Sequence, residues 1–155
     1  AVCAAMLATE MAAYYKAKNM TLYDALQKLY ARYGYYGEKS QDVYMEGLDG
    51  IERRTNTMKN LRENPPKSIG GSPVAFVGDY LAGTITALAD GSTKPTGLPK
   101  SDVLYYGLAD GDVAVIRPSG TEPKIKIYYL ASAKDEAALA AKLATYAAET
   151  DKLVK

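Results

Sequence analysis

The sequence has no histidine and one cysteine, Cys3. Without histidine there is no Ser–His–Asp triad, no imidazole general base and no His-ligated zinc site. One cysteine excludes an internal disulfide and a Cys-x-x-Cys metal knuckle, and it suits a reducing compartment. No apolar run reaches the length of a bilayer span, and no signal-peptide pattern is visible. Neither sign of charge is in excess: 19 Lys and Arg against 18 Asp and Glu leave a formal charge of +1. Such a chain lacks the broad basic field that draws proteins to nucleic acids or anionic membranes, so neither partner is expected.

The 155 residues, 48% hydrophobic and 24% charged, suffice for one globular domain, or one domain with an appendage. The chain opens on Ala1 in a helical pattern, which suggests a piece of a longer polypeptide. Cys3, Leu7, Met11 and Tyr14 make one helical face; Leu22, Leu26, Leu29 and Tyr33 make a second. Asn19 and Met20 break the two, Thr21 with Asp24 forms a capping box, and Gly34 suits the C-terminal stop. A pair this small cannot bury its own stripes and should belong to a domain that lies mostly elsewhere. Cys3 is expected in its core.

Tyr35–Asp42 is polar and reads as a linker and candidate hinge. A strand near Val43–Met45 follows, then a helix over 50–63 with Ile51, Met58 and Leu61 inward, ended by Asn64-Pro65-Pro66. Pro73–Val77 reads as a strand after the Gly70-Gly71 turn. Residues 78–101 read as a Gly- and Pro-rich excursion with a short strand near Thr84–Thr86. Val103–Leu108 and Val113–Ile116 form a hairpin about Asp110-Gly111, a dipeptide suited to positive φ. Ile125–Leu130 alternates as a half-buried strand. Ser132 with Asp135 then opens a helix to about residue 150, with Leu139, Leu143, Tyr146 and Thr150 on one face. The expected fold is α+β: a four-to-five-stranded, mainly antiparallel sheet with helices on one face, preceded by a helical segment. The domains divide as 1–38 and 39–155.

The strongest chemical signal is Arg117-Pro118-Ser119-Gly120-Thr121-Glu122-Pro123-Lys124, between two strands. Arginine offers a planar fork that fits a phosphate dianion, and Ser119 and Thr121 offer hydroxyl donors. Gly120 lets backbone amides approach an anion, and the prolines stiffen both flanks. Lys124 and Lys126 add positive potential. An ordinary polar connection has the same composition, so both readings stand on the residues alone. The loop is neither a Walker A motif nor a dinucleotide fingerprint. Asp110-Gly111-Asp112 lacks the further ligands of a calcium loop and reads as a turn. Arg53-Arg54 reads as a solvated helix face, and the tyrosines at 30, 33, 35 and 36 as packing. Asn19-Met20-Thr21 matches a glycosylation sequon, but nothing indicates secretion.

RPSGTEPKIKIYY resembles the C-terminal phosphate-binding loop of the phosphoglucomutase/phosphomannomutase (α-D-phosphohexomutase) family. AMLATEMAAYYKAKNMTLYDALQKLYARYGYY is similar to the end of that family's third domain. DYLAGTITALADGSTKPTGLPKSDVLYYGLADGD is similar to the lead-in to the loop. The resemblance implies a TATA-binding-protein-like fourth domain after the helical tail of the third. It implies a cytoplasmic isomerase that interconverts hexose 1-phosphate and hexose 6-phosphate. The reaction would run through a bisphosphorylated sugar, a phosphoserine and Mg²⁺. Arg117, Ser119, Gly120 and Thr121 match the phosphate-binding positions; Lys124 falls in the motif without an implied contact. The phosphoserine loop, the acidic metal cluster and the sugar-binding loop have no counterpart here. No catalytic or metal residue is therefore assigned, and the chain alone is expected to be inactive. Its expected partners are a phosphosugar and the preceding domains. A stand-alone phosphosugar-binding module and a phosphopentomutase-type substrate are the alternatives.

Overall fold

Two helices lead the chain, as the apolar spacing predicts: α1 (Val2–Lys16) and α2 (Leu22–Tyr33). The structure is a computed structural model and describes residues 1–154. Asn19 takes φ 54° in the turn between the helices. The Thr21 hydroxyl accepts from the Asp24 amide at 3.1 Å, and the Asp24 carboxylate accepts from the Thr21 amide at 2.8 Å. That reciprocal pair is the expected capping box. Gly34 ends α2 at φ 92°, ψ 168°, so the chain turns straight into extended backbone. α1 buries none of its side chains and α2 only Ala25, so both apolar faces are uncovered. Cys3 is therefore exposed, not in a core.

The segment expected to be a linker is a strand. β1 (Tyr35–Tyr44) pairs antiparallel with the last strand, in continuous register from Tyr35 opposite Ala133 to Tyr44 opposite Lys124. A polar edge strand carries little hydrophobic signal, because its open side faces water and only alternate residues meet the core. The residues on either side of the expected division after residue 38 are both in this ladder.

α3 (Gly50–Glu63) follows, then β2 (Ser68–Ile69), β3 (Ser72–Asp79), β4 (Thr84–Ala87) and β5 (Thr93–Pro95). β6 (Leu104–Leu108), β7 (Val113–Pro118), β8 (Lys124–Ala133) and α4 (Glu136–Val154) complete the chain. The α+β architecture with a mainly antiparallel sheet is as expected; the strand number is not. The sheet has 8 strands, ordered β1-β8-β7-β6-β3-β4-β5 with β2 on β3. β2 and β5 have no expected counterpart, being too brief and polar to register as periodic, and β1 extends well before the strand expected at Val43. Asp135, not Ser132, caps α4: its carboxylate accepts from the Ala138 amide at 2.7 Å. Ser132 is still in β8.

Alternation along the strands sorts the side chains into two faces. Ile125, Ile127 and Tyr129 of β8, Ala114 and Ile116 of β7, and Leu104 and Tyr106 of β6 are fully buried on one face. Met58 and Leu61 of α3 and Leu139 and Tyr146 of α4 close over them in the same core. Ile51, expected inward on α3, is exposed. Among the described residues α3 and α4 pack on that core face only, and the opposite face carries Val115, Arg117, Tyr128 and the exposed Leu130. No helix among the described residues is long and apolar enough to cross a membrane.

Candidate phosphate-binding loop

Strand β7 delivers its last residues to a tight bend at 119–123, and β8 carries the chain back. Three hydrogen bonds within the loop close the bend. The Ser119 amide donates to the Lys124 carbonyl at 2.9 Å, and the Lys124 amide to the Glu122 carbonyl at 2.8 Å. The Glu122 amide donates to Ser119 Oγ at 3.3 Å, which leaves that hydroxyl's own proton free to be donated outward. The Pro123 carbonyl accepts from the Met45 amide at 2.8 Å, tying the bend to the end of β1. Pro123 has no amide hydrogen to satisfy. The remaining amides, Gly120 N–H and Thr121 N–H, have no partner among the described residues. Two successive unpaired amides at an exposed bend have the donor chemistry of an anion nest.

Gly120 fits that reading. Its φ is not positive, so the backbone does not demand glycine. A Cβ there would meet nothing within 4 Å among the described residues, so packing does not demand it either. What the missing side chain provides is bare backbone on the outer side of the loop.

Arg117 sits at the end of β7 on the helix-free face, across from Lys126. Its Nη2 donates to the Tyr128 hydroxyl at 3.1 Å, and its guanidinium carbon lies 5.6 Å from that ring's centroid. The structure brings Arg117, Ser119, Gly120 and Thr121 into one short segment but not onto one shared partner. Among the described residues no hydrogen bond joins the guanidinium to either hydroxyl. The full convergence expected from the sequence is not formed by protein groups alone.

Lys124 plays a different part. It is buried, and its Nζ contacts Glu122 Oε2 at 2.7 Å, Asp42 Oδ2 at 2.9 Å and the Tyr44 hydroxyl at 3.2 Å. Hydrogen bonds to Glu122, Asp42 and Tyr44 hold its ammonium above the usual lysine value. The same contact with Lys124 lowers the Asp42 carboxyl. Lys124 thus fastens the root of the loop to β1 and does not project a free charge.

Arg54, expected on a solvated helix face, instead reaches the loop: its Nη1 donates to the Ser119 carbonyl at 2.6 Å and the Glu122 carbonyl at 3.0 Å. α3 can reach the loop because its first residue is glycine: a Cβ at Gly50 would overlap the Met45 carbonyl oxygen and crowd Pro123. Contacts separated by 65 and 68 residues leave no local signal. Among the described residues no group of three or more Cys, Asp or Glu side chains is arranged to hold a metal ion.

The architecture is an antiparallel α+β sheet layered by helices on one face, with a strand-to-strand bend that has open amides near an arginine. Residues 82–149 match the family model described as "Phosphoglucomutase/phosphomannomutase, C-terminal domain". Over that stretch, somewhat under half of its length, the chain is similar to the C-terminal domain of the phosphoglucomutase/phosphomannomutase family. It is 37% identical over 113 residues to a phosphoglucomutase of Staphylococcus aureus strain bovine RF122 / ET3-1, and 36% identical over the same length to that of strain MRSA252. Each alignment covers 73% of this chain and 20% of the relative, so the chain spans about a fifth of the curated relatives it matches. Among solved structures it is similar to a Paramecium phosphoglucomutase, pp63/parafusin, in its open form, with a TM-score of 0.56 at 18% identity. That superposition covers 90% of this chain and 24% of the other, and shows the shared fold.

Proposed function

We propose that this chain supplies the phosphate grip of a phosphosugar mutase that interconverts hexose 1-phosphate and hexose 6-phosphate. The observation that carries the reading is the bend at 119–122, where the Gly120 and Thr121 amides stand unpaired beside Arg117. A phosphate would be the common partner that the protein groups lack. Its oxygens would take the Arg117 fork, the Ser119 and Thr121 hydroxyl protons and the two amides. Tyr128 would release one guanidinium N–H to the ligand.

The grip would act on the phosphate that is not being transferred. Binding energy realised there positions the sugar, and positioning with charge stabilisation carries most of phosphoryl transfer. A site that reads a dianion rather than a sugar face also tolerates a bisphosphorylated intermediate presented in either orientation. The phosphoserine and the Mg²⁺ site of this proposal lie in polypeptide outside these 155 residues. The residues described here do not fit a metal, and no step is assigned to one. The uncovered apolar faces of α1 and α2 would pack against the preceding domain. The chain alone would be inactive, cytoplasmic, and without nucleic-acid or membrane partners.

The test is titration of the isotope-labelled chain with inorganic phosphate or glucose 1-phosphate, followed by amide and arginine NMR shifts. Shifts confined to residues 117–124 and abolished by Arg117→Ala support the reading. Shifts elsewhere, or none, reject it.

A further inference from the structure

We infer that Arg54 is a positioning residue for the phosphate loop, acting through the peptide plane it holds; the inference rests on the reading of that loop as the phosphate grip. The argument is geometric. In a planar trans peptide the carbonyl of one residue and the N–H of the next point in opposite directions. Arg54 reaches from α3 and draws the Ser119 carbonyl toward itself, with Nη1 at 2.6 Å. The N–H of the same peptide unit belongs to Gly120, and it is thereby aimed away from α3, toward the outer side of the bend. Gly120 is the residue whose missing side chain leaves that side bare. The second bond, to the Glu122 carbonyl at 3.0 Å, pins the far end of the bend with the same nitrogen.

Other contacts make this brace specific. Lys124 secures the root of the loop through side chains, to Asp42, Glu122 and Tyr44. Among the described residues, Arg54 alone grips the carbonyl whose peptide unit carries the Gly120 donor. Unlike Arg117, it spends one guanidinium nitrogen on the loop's own carbonyls, so it orients the site without needing to touch phosphate. It also stands outside the span matched by the family model, which begins at residue 82.

The experiment is phosphate titration of the isotope-labelled full chain and its Arg54→Ala, Arg54→Lys and Arg117→Ala variants. In Arg54→Ala, affinity falls about tenfold, the scale of one charge-assisted hydrogen-bond geometry. The Gly120 amide shift at phosphate saturation falls by more than half. Arg54→Lys, whose ammonium can still donate to a carbonyl, restores most of both. Amide shifts of the ligand-free variants outside residues 45–54 and 117–124 stay in place, so a global fold defect is read directly. A saturating Gly120 shift unchanged in Arg54→Ala, with affinity lowered or not, overturns the inference and leaves the loop reading intact, because charge alone would then account for any loss. Absence of phosphate shifts in the unmodified chain overturns the loop reading, and the inference with it.

Discussion

The two ends of strand β7 begin from similar turn chemistry and finish in opposite states. At its start, Asp110-Gly111-Asp112 makes the hairpin bend with Gly111 at φ 90°. Asp112 is only 2% exposed, and its carboxylate is surrounded. It accepts from the Ser132 amide at 2.9 Å and the Tyr146 hydroxyl at 2.7 Å, and pairs with Lys142 Nζ at 2.5 Å. Asp110 takes the same ammonium at 2.9 Å. These contacts spend the Asp112 carboxylate and the Lys142 ammonium within the protein and lock α4 to the sheet. At the other end of β7, the bend at 119–122 gives its Ser119 and Glu122 carbonyls to Arg54 and leaves the Gly120 and Thr121 amides open among the described residues. The proposed grip uses the bend with open amides; the turn with the buried, paired carboxylate serves stability.

This contrast can be broken from either side. The largest effect is expected at the closed end. Asp112→Ala strands Tyr146, the Ser132 amide and part of the Lys142 charge, and should cost about 3 kcal/mol. A urea unfolding midpoint that does not move would show the network to be ornamental. Gly50→Ala comes next, at about 2 kcal/mol, because the new Cβ overlaps backbone that cannot move aside; chemical denaturation reads it, and α3 drawing away from the loop should also weaken phosphate binding. Arg117→Ala acts at the open end. It should leave the unfolding midpoint within about 0.5 kcal/mol while cutting phosphate affinity some thirtyfold, about 2 kcal/mol. Gly120→Ala sharpens the comparison further: the thermal midpoint stays put, yet calorimetric titration with phosphate shows weaker binding, since only a ligand needs the bare backbone.

The smallest effect is in pH. Asp42 is lowered by its hydrogen bond to Lys124, and burial opposes this without prevailing. Burial would raise Asp110, but Lys142, the Ser72 hydroxyl and the Asp112 amide outweigh it and hold it below the ordinary value of 3.8. Carboxyls depressed in the folded state contribute stability that is complete above their unfolded value and lost as pH falls through their folded values. Unfolding free energy should therefore be flat from neutral pH down to about 5 and decline below 4. In Asp110→Asn the acid limb becomes shallower; an unchanged limb would remove Asp110 from the account.

How much of this was legible in the sequence varies with the range of the interaction. The Thr21–Asp24 capping box, the Asp110-Gly111 hairpin and the inward face of Leu139, Tyr146 and Thr150 depend on residues a turn apart, and all are present. The edge strand at Tyr35–Tyr44 was not legible, because its pairing partner lies at the other end of the domain. For the same reason Ser132 was mistaken for a helix cap: its amide serves Asp112, twenty residues away in the chain. In the phosphate loop, Arg117, Ser119, Gly120 and Thr121 stood out by type and order. Which of their groups are spent internally did not.

Residue identity alone determined the chemistry on offer: no imidazole, no disulfide, near-balanced charge, and one segment rich in anion donors. It also determined the local turns and caps, since these close within a few residues. Only the tertiary structure decided which donors remain unpaired, because that depends on groups brought in from α3 and β1. A helix arginine that looked solvated became the brace of the loop, and a lysine that looked available was consumed by Asp42 and Glu122. Hydrogen-bond capacity belongs to the residue, but whether it is spent is settled by whatever the fold places within 3 Å of it.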